Sequence, residues 1–85
     1  MEQGYGKLIV ERIRFLCDRR GISINRLATM SGVSQATLNN IVNGRSENPK
    51  IKTLHKIALA FSMTLPEFLD FPELENYSFE EEEDN

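Results

Sequence analysis

Apolar residues recur along this chain at helical spacing, and no stretch alternates as a half-buried strand would. Ile9, Ile13, Leu16 and Cys17 share one face of a segment running from about Lys7 to Arg20, and Gly21 supplies its stop. A second segment starts at Ser23, whose hydroxyl can cap free amides, with Ile22 and Leu27 placed as a hydrophobic staple. It is short and ends near Ser31-Gly32. The third repeats that signature, with Ser34 as cap, Val33 and Leu38 as staple partners, and an end at Asn43-Gly44. A polar loop, RSENPK, follows, and Pro49 marks its exit. Leu54, Ile57, Ala58 and Phe61 then define a fourth helix over about Ile51 to Phe61. The fifth opens on the capping box Thr64-Leu65-Pro66-Glu67, stapled by Met63 and Phe68.

Five short helices without a strand signal predict an all-α domain over residues 7–71. Only Ser31, Gly32 and Val33 separate the second helix from the third. Gly32 permits the left-handed turn that lets two short helices cross steeply, which is a helix-turn-helix. From residue 72 to 85 the chain becomes PELENYSFEEEEDN, which reads as an acidic, disordered tail.

Charge sharpens that division. The net charge of −3 combines a +4 segment over residues 1–72 with a −7 segment over residues 73–85. The pI of 5.1 therefore describes a tail joined to a mildly basic domain, and is no guide to the domain's partner. At 85 residues with 40% hydrophobic content, the chain can bury one thin core. A single cysteine, Cys17, excludes an intramolecular disulfide or a multi-cysteine zinc site. No apolar run is long enough to span a bilayer, and MEQGYGKLIVERIR lacks a signal-peptide core. The expected setting is a reduced cytoplasm.

The third helix, within SQATLNNIVNG, is oddly composed for a surface helix. Its gaps hold Gln35, Thr37, Asn39, Asn40 and Asn43 where Glu and Lys would be usual. Short polar side chains compete for the backbone and make indifferent helix residues. Leu38, Ile41 and Val42 cluster on one side; Ala36, Asn40 and Asn43 lie opposite, flanked by Gln35 and Asn39 on one edge and Thr37 on the other. Amides donate and accept, so they can bond two atoms of an adenine edge, and the methyls of Ala36 or Thr37 can meet a thymine methyl. The competing reading is an amide-rich helix that is merely soluble. Arg45, Lys50 and Lys52, with the helix N-termini at Ser23 and Ser34, favour DNA because they can hold phosphates beside such a helix.

The stretches RLATMSGVSQATLNNIVNGR, NP and TLHKIALAFSMTLPEFL, in that order, resemble the phage-repressor and Cro type of helix-turn-helix domain over roughly residues 9–69. The resemblance implies a compact, five-helix, lambda-repressor-like bundle that lays its third helix in the major groove. It implies base reading from Gln35, Ala36 and Asn40, with Thr37 or Asn39, and phosphate contacts from Ser23, Ser34, Asn43, Arg45, Lys50 and Lys52. Two departures stand out. A glutamine that in the family clamps a phosphate and braces the reading helix is Ile24 here, so that contact is expected to be missing. A buried arginine–glutamate pair of many members is replaced by Cys17 and Val42. Loss of one partner would cost about 3–5 kcal/mol, whereas exchanging both for apolar groups is often neutral. Cys17 and Val42 are therefore expected to face each other in the core.

The expected function is a sequence-specific transcriptional regulator, by default a repressor, acting on operator DNA as a homodimer. Phe68, Leu69, Phe71 and Leu74 either close the core or form a dimer patch. The alternative is an antitoxin-like interaction module whose acidic tail, with Tyr77 and Phe79, binds a partner protein; the tail can also be a plain solubilising terminus or compete with DNA for the basic face. His55 lies off the apolar stripe with no second ligand, and Cys17 lies on it, so neither suggests chemistry. No catalytic constellation, cofactor site or metal site is legible.

Overall fold

Each helix starts and stops where the chain itself supplies partners for unpaired backbone groups. The structure, a computed structural model, describes residues 4–45 and 48–79. Its helices are α1 (Tyr5–Arg20), α2 (Ile24–Ser31), α3 (Gln35–Val42), α4 (Ile51–Ala60), α5 (Leu65–Leu69) and α6 (Pro72–Glu75). Ser23 Oγ accepts from the Arg26 amide and Ser34 Oγ from the Thr37 amide, both at 3.0 Å. At α5 the capping box is complete: Thr64 Oγ1 accepts from the Glu67 amide at 3.1 Å, and the Glu67 carboxylate accepts from the Thr64 amide at 2.8 Å.

The C-terminal ends close by paired reverse bonds. After α3, the Arg45 amide reaches the Asn40 carbonyl and the Gly44 amide the Ile41 carbonyl, with Gly44 at φ 78°. After α4 the same pattern places Ser62 at φ 61°, where glycine is usual and a Cβ is strained. The end that carries this strain also receives external support. The Arg20 guanidinium donates to the Phe61 carbonyl at 2.6 Å and lies 5.8 Å from the Phe61 ring centroid.

Arg20 is one of three α1 arginines used in this way. Arg12 donates to the carbonyls of Phe68, at 2.9 Å, and Glu67, at 3.1 Å, at the end of α5. Arg14 donates to the Val42 carbonyl at 3.3 Å, at the end of α3. Each cation meets orphan carbonyls at the negative end of a helix dipole. Between these fastenings lies one core, built from Ile9, Ile13, Leu16 and Cys17 of α1 with Leu27, Leu38, Ile41, Leu54, Ile57, Phe61 and Phe68. Helix α1 packs on α2, α3 and α6, and α4 packs on α2 and α5.

The domain is all-α, and the expected five helices are present with a sixth added. Helix α6 lies inside the segment read as tail, because Pro72 suits a first helical turn and Leu74 packs on the core. Helix α1 begins two residues ahead of Lys7, and its Tyr5 ring packs 5.6 Å from that of Phe79. The acids that follow Phe79 lie outside the described residues. Phe68 and Phe71 are buried and close the core, so the dimer patch expected of them is reduced to the half-buried Leu69 and Leu74. Cys17 and Val42 are both buried in the same cluster. Since Arg14 grips the Val42 main chain, α1 still holds the end of α3 by a guanidinium, without a side-chain carboxylate.

Removing a partly buried charged donor from a carbonyl costs about 1.5–3 kcal/mol. Arg20→Ala is expected to lower stability by that amount, and Arg20→Lys to recover only part, since lysine lacks the planar fork that meets both carbonyl and ring. Urea unfolding followed by circular dichroism checks this; midpoints within error of wild type would refute the clamp.

Candidate nucleic-acid interface

The face of α3 turned from the core is open to solvent. Gln35, Ala36, Thr37, Asn40 and Asn43 are exposed, while Leu38 and Ile41 are fully buried. Asn39 departs from the expected set in being half-buried. Ser23, Ser34, Arg45, Lys50 and Lys52 are all exposed. Arg45 and Lys50 border this face, so the charge beside it is positive.

The fold divides these residues between two edges of α3. On one edge, Thr37 and Asn40 join Arg45, Asn48, Pro49, Lys50 and Thr53 around a polar groove of about 560 Å³. Amides and hydroxyls therefore sit beside two cations, Arg45 just after α3 and Lys50 at the start of α4. Lys52, Ser23 and Asn43 lie outside this groove. Asn48 and Thr53 were not among the residues the sequence singled out. Their signal was positional only: Asn48 lies two residues before Lys50 and Thr53 directly follows Lys52, and only the fold brings them to one groove.

On the other edge, the Gln35 side-chain amide donates to the Asn25 side-chain carbonyl of α2. Ile24, where the family's glutamine is absent, takes no part in this bond. The neighbouring position performs the bracing, from a residue that no sequence periodicity ties to Gln35. Ser34 is also committed within the fold. Its hydroxyl accepts from the Thr37 amide and donates to Thr37 Oγ1 at 2.8 Å. What remains free at this helix start is the pair of amides of Gln35 and Ala36, with the Thr37 hydroxyl hydrogen beside them.

Other candidates fall away on geometry. Cys17 is buried, and burial, with the nearby Asp18 charge, pushes its thiol up while Arg14 offsets part of this. At neutral pH it is a protonated thiol, a poor nucleophile. His55 is exposed. Among the described residues, no group of three or more His, Cys, Asp and Glu could hold a metal ion, and no helix is long and apolar enough to cross a membrane.

The Asn25 brace has a direct readout in the free protein. Side-chain amide protons of Gln35 are expected to exchange with water several-fold more slowly than those of Asn40, and to lose that protection in Asn25→Ala. Equal exchange in wild type would show that the brace does not persist in solution.

Comparison with known proteins agrees with this geometry. Residues 12–73 match the Cro/C1-type HTH DNA-binding domain. The HTH-type transcriptional regulator SlrR of Bacillus subtilis is 40% identical over 58 residues, which is 68% of this chain and 38% of SlrR. The HTH-type transcriptional repressor RghR of the same organism is 42% identical over 53 residues, 62% of this chain and 39% of RghR. The chain thus spans under two-fifths of the length of these curated relatives. Among solved structures, the prophage Lp1 protein 11 superposes with a TM-score of 0.79 at 30% identity, covering 89% of this chain and 100% of that one. An HTH_3 family transcriptional regulator from Vibrio cholerae gives 0.68 at 34% identity over 76% of this chain and 36% of its own. That family match covers most of the chain, and the chain belongs to the Cro/C1-type HTH DNA-binding domain family.

Proposed function

We propose that this protein is a sequence-specific DNA-binding transcriptional regulator, by default a repressor, that lays α3 in the major groove of an operator. The observation that carries this reading is the pairing of an uncharged amide face on α3 with cations along its edge. Cations alone would bind any phosphate; amides discriminate among base edges. The names of the relatives SlrR, a regulator, and RghR, a repressor, support the same reading.

The roles follow from what each group has left to offer. One hydrogen of the Gln35 amide is spent on Asn25, which fixes the side-chain plane. The other hydrogen and the carbonyl oxygen remain, and these are the two groups that adenine N7 and N6 require. Asn40, beside the groove, can read a second base, with Thr37 and Asn39 as flanking contacts. Ala36 presents a methyl to a thymine. The free amides of Gln35 and Ala36, together with Ser23, Asn43, Arg45, Lys50 and Lys52, would hold phosphates and set the register. Ser34 acts chiefly by keeping that amide cluster in place. Repression is then steric: an occupied operator excludes the transcription machinery.

An eight-residue reading helix touches few base pairs, so a homodimer on a two-fold site, with half-sites one helical turn apart, supplies the specificity that one copy lacks. The setting is the cytoplasm, where the operator is reached directly.

Selection of duplexes from a random pool gives the operator on which the reading is tested. On it, Gln35→Ala and Asn40→Ala are each expected to cost about 1–3 kcal/mol and to relax specificity at one position. Lys50→Ala and Arg45→Ala should weaken all sequences alike and lower the salt slope by about one each. Retention of the same sequence preference in Gln35→Ala and Asn40→Ala would reject base reading by this face. Sedimentation of the protein on operator DNA should show two copies per duplex; one copy at saturation would remove the dimer.

A further inference from the structure

A second concave surface lies away from the α3 groove and shares no residue with it. Leu8, Phe15, Phe71 and Pro72 form the apolar part of an open cleft of about 450 Å³ between α1 and the corner where α5 gives way to α6. Phe15 is 49% exposed, although the next residue, Leu16, is buried. The charges around this cleft are opposite in sign to those at α3. Its lining carries the carboxylates of Glu11, Asp70 and Glu73 against one guanidinium, that of Arg12, for a net −2.

Arg12 is turned inward. It spends its donors on the Phe68 and Glu67 carbonyls and lies 5.1 Å from the Phe71 ring centroid, so it offers little to an incoming anion. Arg19 lies over the Phe15 ring at 5.6 Å. The Phe79 ring packs 5.6 Å from Tyr5, one turn of α1 from Leu8. The sequence following Phe79 is four glutamates and an aspartate. A DNA backbone would be repelled from such a surface.

We propose that this cleft docks a basic amphipathic helix of a partner protein, one that inserts a bulky apolar side chain between lysines or arginines. The apolar floor receives the anchor, as grooves do for helical ligands. The carboxylates of Glu11, Asp70 and Glu73 attract its cations and reject acidic competitors. Binding there leaves the α3 face free, so a bound partner and bound DNA are compatible. The inference rests on the charge and shape of the cleft alone, independently of whether α3 reads an operator.

The test uses the full chain, labelled with nitrogen-15 and titrated with a helical peptide built on the repeat Leu-Lys-Lys-Leu-Leu-Lys-Leu. A matched peptide with glutamate for each lysine is the control. Amide shifts are expected at Leu8, Phe15, Phe71 and Glu73 with the basic peptide and none with the acidic one. Phe15→Ser and Glu73→Lys should each weaken binding by about tenfold or more, with circular dichroism showing the fold retained. Changing Glu80, Glu81, Glu82 and Glu83 to Gln, and Asp84 to Asn, should leave the same residues shifting. Shifts confined to the chain beyond Phe79, or absent, would overturn the proposal. So would a peptide-free dimer that Phe15→Ser converts to monomer, since the cleft would then hold a second copy of this chain.

Discussion

Guanidinium groups projecting from α1 hold the ends of three other helices, and the arrangement of the domain depends on that. Helices α3, α4 and α5 are 8, 10 and 5 residues long, each too short to be stable alone. Their last carbonyls have no partner within their own helices. Arg14, Arg20 and Arg12 meet them in turn. Each contact pairs a full positive charge with the negative end of a helix dipole, and all three originate on the one helix long enough to act as a post.

That division of labour leaves α3 free on its outer side. Its buried residues seat it, Arg14 secures its end, and Ser34 closes its start, so its stability does not rest on Ala36, Asn40 or the other residues of its outer face. Poor helix formers are then tolerable where a lone surface helix would need stronger ones. Three asparagines and a glutamine fill that freedom. The arginines committed to structure also sort the charge of the molecule: those spent on carbonyls belong to α1, while Arg45, Lys50 and Lys52 remain turned to solvent beside α3. A basic face and an acidic cleft thus coexist on one small domain.

Much of this was legible in the sequence because it is local. Ser23, Ser34 and Thr64 cap helices through bonds that span only three residues, and Gly21, Gly32 and Gly44 stop them through a conformation that needs no distant partner. The staples and core positions follow from helical spacing. Helix α6 was missed because charge dominates the composition of its segment, while its ordering rests on Pro72 and the packing of Leu74. Phe71 was ambiguous for a similar reason: an apolar residue near a chain end buries itself or meets a partner according to what lies above it.

The chain alone determined the helices, their polarity, the helix-turn-helix and the uncharged face of α3, since each depends on residues within a few positions of one another. Only the tertiary structure decided which carbonyls the α1 arginines would satisfy, that Asn25 rather than residue 24 braces Gln35, and that Thr37, Asn40, Arg45 and Lys50 border one groove. The hydrogen bonds among these join residues 10 to 56 positions apart, and no periodicity encodes them. They follow from how short helices cross, and crossing is set by the shape of the whole core at once.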